Sequence, residues 1–181
     1  MGSSLELQNS YALWQSYSEF IQEKLKDVSL MRAKFEQKLA NSKLMAVKDK
    51  IEIFLEHAMF EEIQSNVMRA GKLFQQLDEE IAPGLVKATI NRINFEKRQG
   101  HNEKARELYA NAFEAALQRN DSLAVTFIAC QYARFSVKHK NVQRAHAIFT
   151  QAISNPRCAN KVLYLSYINM AKDASNQGGQ L

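Results

Sequence analysis

Apolar positions along this chain recur at the period of a helix. Ala105, Leu108, Tyr109, Ala112, Phe113, Ala116 and Leu117 advance in steps of three and four, which places them on one stripe. Ala145, Ile148, Phe149, Ala152 and Ile153 repeat the first five of those positions before Pro156 ends the run, and Ile128, Tyr132 and Phe135 keep the same period just upstream. Strand-like alternation is missing from the sequence. With two prolines and six glycines in 181 residues, the interior is almost free of helix breakers, so the pattern predicts an all-α protein.

The stripes are copies of one another. Phe60, Ala70 and Phe74 share their offsets with Phe95, Ala105 and Tyr109 and with Phe135, Ala145 and Phe149; the copies lie 35 and then 40 residues apart. A weaker copy is read upstream, with Phe20 thirteen residues before Ala33 and Gln37 standing where the second aromatic stands elsewhere. Trp14, Tyr17 and Phe20 keep three-residue steps that Tyr164, Tyr167 and Met170 repeat in a final half-copy. The predicted organisation is an array over residues 5–174: repeats at 10–42, 48–81, 84–119 and 122–155, then a terminal helix at 160–174. Residues 1–4 read as a cloning remnant and 175–181 as a polar tail. Asn102 and Asn141 are placed as helix N-caps, and Ala82-Pro83-Gly84 as a break between repeats.

Two short helices cannot bury stripes this wide, but stacked pairs bury them in one continuous core. Ala70, Ala105 and Ala145 then permit close helix crossings, while Phe60, Phe95 and Phe135 fill the spaces between pairs. Apolar residues at 46% and charged residues at 24% are the balance of a chain that folds. No apolar run approaches the roughly 18 residues of a membrane span, and no secretory signal opens the chain, so it reads as intracellular.

Chemistry is sparse. His57, His101, His139 and His146 are scattered, and no phosphate loop, nucleophile elbow or H-E-x-x-H motif accompanies them, so neither catalysis nor a small-molecule substrate or cofactor is expected. Cys130 and Cys158 lack metal-ligand spacing and read as structural thiols. Lys97, Arg98 and Lys104 surround one inter-helix turn, and Lys138, Lys140 and Arg144 surround the matching turn of the next repeat, forming a candidate basic edge. Glu96, Glu103 and Glu107 interleave with the first group, which ranks RNA contact below protein interaction. Leu163, Tyr164, Tyr167, Ile168 and Met170 make the terminal helix a candidate dimer interface or, alternatively, an ordinary cap.

"LWQSYSEF", the pairs Phe60-Glu61 and Phe95-Glu96, "KARELYANA" and "QRAHAIFTQA" resemble the half-a-TPR (HAT) repeat of RNA-processing scaffolds, with Ile21 and Ser136 in place of the glutamate in two copies. "APGLVKATINRINFEKRQGHNEKARELYANAFEAA" and "KVLYLSYINMAK", carrying Arg92, Glu96, Arg98, Gly100 and Ala105, resemble the C-terminal region of the pre-mRNA-processing factor 39 family. The resemblance implies a right-handed α-solenoid of about four antiparallel helix pairs plus a terminal helix. It also implies a C-terminal piece of a longer nuclear protein, a non-catalytic scaffold associated with the U1 snRNP or other splicing proteins. Such a scaffold would form a homodimer in which the last helix of one subunit docks on its partner. The alternatives are an RNA-binding helical repeat and a scaffold of another RNA-processing complex, such as the cleavage stimulation factor large subunit.

Overall fold

The computed structural model describes residues 27–41 and 45–178, together with Gln15, Ser16 and Glu19. Trp14, Tyr17, Phe20 and Ile21 lie outside the described residues. The described elements are α1 (Val28–Ala40), α2 (Val47–Ile63), α3 (Val67–Gln76) with a π-helical end (Leu77–Ile81), α4 (Val86–Arg98), α5 (Asn102–Gln118), α6 (Ser122–Lys138), α7 (Val142–Ser154) and α8 (Lys161–Gly178). No strand occurs among the described residues.

Three residues join α2 to α3, α4 to α5, α5 to α6 and α6 to α7, and in each link the middle residue is left-handed: Ser65, Gly100, Asn120 and Lys140, with φ between 54° and 79°. The next residue's N–H then returns to a carbonyl five positions back, as in His101 to Glu96 (2.9 Å) and Asn141 to Ser136 (2.9 Å). These bonds satisfy carbonyls that a helix end leaves free and turn the chain back on itself, which makes neighbours antiparallel. Gly100 adopts this conformation without the penalty that a β-carbon brings at Ser65 and Lys140. Asp27, Asp121 and Asn141 accept from the N–H groups of Leu30, Ala124 and Arg144 at 2.9–3.0 Å. Asn102 does not cap as expected. It is the first residue of α5, and His101 holds the capping position with its ring turned toward Glu96.

The chain divides into two compact units, Met1–Pro83 and Gly84–Leu181, at the pair that interrupts the helical pattern. The expected single core is thus described as two. In the first unit Met31, Phe35, Ile53 and Phe60 pack together. In the second, Ile93, Ala105, Tyr109, Phe113, Ile128, Tyr132, Phe135, Ala145, Phe149 and Leu163 belong to one cluster. The central helices α2 and α6 are buried over a wide arc, whereas α5 and α7 bury one stripe, because first helices have neighbours on more sides. Ala129 and Ala133 on α6 are as closely packed as Ala105 and Ala145, a role for small residues in the first helices that the repeat offsets missed.

The first copy is corrected by two residues. Ala33 and Gln37 are exposed, while Met31 and Phe35 are fully buried. Phe35 stacks on His57 (centroids 4.6 Å) and meets Phe60 (5.6 Å), the arrangement that Tyr109 makes with Tyr132 (5.2 Å) and Phe135 (5.5 Å). The second aromatic of the first copy is therefore Phe35, and Met31 occupies the place of the small residue. Methionine's flexible thioether fills here the crossing that alanine fills in the other copies.

Ala105 and Ala145 have no exposed surface. Ala105→Leu and Ala145→Leu are each expected to cost about 1–3 kcal/mol by forcing helices apart. Chemical denaturation checks this, and parent-like midpoints for both would show that neither site is a crossing.

Candidate interaction surfaces

The glutamate that follows the packing aromatic is buried in both copies that carry it. Glu61 receives Arg32 from α1 in a two-pronged pair (Nε to Oε1 and Nη2 to Oε2, both 2.7 Å). It also receives Asn66 (3.0 Å) and, from α3, Arg69 Nε at 3.2 Å, while Arg69 reaches on to Glu36. Three helices thus meet on one carboxylate. The Arg32 hydrogen bonds hold the Glu61 carboxyl below its ordinary value against the opposing effect of burial. At Glu96 burial pushes upward, yet Lys104 (2.5 Å) and His101 (2.7 Å) together hold it below the ordinary value too. The cation stands eight residues after the glutamate in both copies, Arg69 and Lys104. In the next copy Ser136 replaces the glutamate and donates to the Tyr132 carbonyl (2.9 Å), and Arg144 turns instead to the Tyr132 hydroxyl (3.1 and 3.2 Å).

This geometry divides the candidate basic edge. Lys104 and Arg144, although exposed, clasp Glu96 and the Tyr132 hydroxyl, and Lys97 bonds Asn94 (3.1 Å) and lies over the Tyr109 ring. Arg98, Lys138 and Lys140 are exposed. Burial first, then the nearby charges of Lys138 and Arg98, push the Lys97 amine down, so these three cations share one region. The missed signal was the eight-residue spacing from glutamate to cation.

The histidines occupy structural contacts. His101 bonds Glu96, His139 packs on Phe135 (4.4 Å), and His146 Nδ1 meets the Tyr167 hydroxyl (3.1 Å). His57 is 2% exposed, and its Nε2 lies 3.4 Å from Glu61 Oε1, out of line for a hydrogen bond, so neither ring nitrogen is satisfied. Burial, reinforced by Arg69, lowers its affinity for a proton despite Glu61. Folded His57 therefore stays neutral below the ordinary value of 6.5, where the unfolded chain takes up a proton, and stability is lost as pH falls below that value. The expected loss approaches about 1 kcal/mol per pH unit. His57→Phe keeps the stack on Phe35, removes two unpaired nitrogens and should flatten the dependence; urea midpoints at about pH 7.5 and 5.5 would measure it. Equal slopes in parent and variant would dismiss His57 as the cause.

The five apolar residues of the terminal helix do not share one face. Leu163, Tyr167 and Met170 follow steps of four and three and point inward: Leu163 is fully buried, Tyr167 stacks on Phe149 (5.4 Å), and Met170 packs against the same core. Tyr164 and Ile168 point outward beside Val162 and Leu165, all four about half exposed or more. At about 100° per residue these five side chains fall on two sides of one helix. Asn160 starts α8 by accepting from the Leu163 N–H (3.1 Å) and ties it to α6 through Thr126 Oγ1 (2.7 Å).

Among the described residues no helix is long and apolar enough to cross a membrane. Comparison with known proteins places these features. A family model described as PRP39 C-terminal HAT repeat matches residues 5–98, just over half the chain. Pre-mRNA-processing factor 39 of Xenopus laevis is 30% identical over 114 residues, which cover 62% of this chain and 17% of that relative, so the chain spans about a sixth of the length of the curated protein it matches. The all-helical architecture and the matched repeat agree on an α-solenoid class of fold, and the family expectation holds over the matched residues, which include the pairs Phe60-Glu61 and Phe95-Glu96. The chain belongs to the family of PRP39 C-terminal HAT repeats.

Proposed function

We propose that this chain is a non-catalytic scaffold of pre-mRNA splicing, acting in the nucleus as a dimerising HAT-repeat region of a U1 snRNP-associated factor. Family membership and the relative's name support the splicing assignment. The inter-helix polar contacts support the non-catalytic part: buried Glu61 and Glu96, and Arg144 on the Tyr132 hydroxyl, are each committed to holding helices together.

The observation that carries self-association is the outward side of α8, where Val162, Tyr164, Leu165 and Ile168 present apolar surface. Deleting α8 would be a poor test, because Leu163 and Tyr167 belong to the core and their loss would uncover Phe149. Leu165→Glu with Ile168→Glu changes the outer side alone. Sedimentation at tens of micromolar is expected to give twice the chain mass for the parent and the single-chain mass for the double variant. A monomeric parent, or a double variant that still dimerises, would reject the dimer.

A further inference from the structure

A cleft of about 370 Å³ opens between α6, α7 and α8. Its floor is apolar, made by Val137, Phe149 and Met170, and its rim carries Arg134 and Lys138 on α6 with Asp173 on α8. Both cations are exposed, and neither has an ion pair or hydrogen bond among the described residues, unlike Lys104 and Arg144, which are held by Glu96 and the Tyr132 hydroxyl. Lys97 lies close enough to Lys138 for their charges to oppose one another, which adds positive potential at the basic end of the cleft.

The same stripe of α6 continues past the cleft. Leu123, Phe127, Cys130 and Arg134 stand at steps of four, three and four, and Leu123 and Phe127 are 86% and 47% exposed. Asn160 anchors the start of α8 beside Ser122 and Thr126, while Met170 and Asp173 reach the level of Val137 and Lys138, so α6 and α8 run parallel. Leu123 and Phe127 thus add exposed apolar surface on α6 ahead of the basic end of the cleft.

We propose that the trough between α6 and α8 binds an extended acidic segment of a partner protein, apolar side chains lying against Leu123 and Phe127 and a carboxylate held by Arg134 and Lys138. The carboxylate gains two charge-assisted contacts, and the methylene groups behind it cover Val137 and Met170. A nucleic acid fits less well. Phe149 on the floor is too buried to stack on a base. This inference rests on the scaffold reading for the ligand's class and is independent of dimerisation.

The test uses the whole chain and three fluorescent probes: a glycine–serine peptide carrying leucine followed by glutamates, its lysine counterpart, and an oligouridylate. Saturable binding of the glutamate peptide alone is expected, weakened about tenfold or more by Arg134→Glu with Lys138→Glu, both at exposed positions. The charge-reversed protein should prefer the lysine peptide. Bound peptide should also slow alkylation of Cys130, which lines the cleft, while Cys158 is buried and gives no background. No saturable binding at millimolar peptide, an unaffected double variant, or preference for oligouridylate each overturns the proposal. A dimer that ignores the peptide would reject the cleft alone; a monomer that binds it would reject the dimer alone.

Discussion

Phe35→Ala is expected to cost about 3–5 kcal/mol, whereas Gln37→Ala should leave stability within about 0.5 kcal/mol of the parent. Phe35 has no exposed surface and touches both His57 and Phe60, so truncation removes a ring from the centre of its cluster and leaves a cavity bounded by helices that cannot close on it. Gln37 is exposed. Chemical denaturation followed by circular dichroism separates the two registers of the first copy. A large loss at Gln37 with a small one at Phe35 would restore the register in which Ala33 is the crossing residue. Tyr109 is the equivalent position in the second unit, and Tyr109→Ala should behave like Phe35→Ala.

The second large effect is at Glu61. Glu61→Ala should cost about 2–4 kcal/mol, because it strands Arg32 and Arg69 together and removes the acceptor of Asn66. The loss stays below that of a fully enclosed pair, since both arginines are about one-third exposed and can recover water. Glu61→Gln keeps the shape but cannot accept from Arg32 on two oxygens, so it should fall between alanine and the parent. Acid repeats the experiment without mutation. The folded pKa values of Glu61 and Glu96 lie below the ordinary 4.5, so their stabilisation is complete above that value and disappears as pH falls through the folded values. His57 acts earlier in the same titration, below 6.5. Ser136→Ala removes only a local bond to the Tyr132 carbonyl and should cost under about 1 kcal/mol. An effect at Glu61 no larger than at Ser136 would mean that the carboxylate does not fasten the helices.

Two of the candidate surfaces were half legible for one reason. Apolar spacing is a property of single helices, and it placed Phe60, Phe95, Phe135, Ala70, Ala105 and Ala145 among residues that are buried. The direction of a long cation is set by what stands opposite. Lys104 and Lys138 look alike in sequence, yet one meets Glu96 across the turn and the other faces an open cleft. Likewise the terminal helix announced itself through Leu163, Tyr164, Tyr167, Ile168 and Met170, but only the neighbours Phe149 and His146 decided that Tyr167 turns in while Ile168 turns out.

Sequence by itself determined that this chain is helical, that its helices come in related pairs, and where the pairs are interrupted, because periodicity, breakers and repeated offsets are local or nearly local quantities. The tertiary structure decided which polar atoms meet: the carboxylate at Glu61 that gathers three helices, the left-handed links that reverse the chain, and the cations beside the cleft that pair with none of the described residues. Those depend on distances between residues far apart in the chain, and hydrogen bonds and ion pairs fall away within a few ångströms, so they exist only once packing has set the separation.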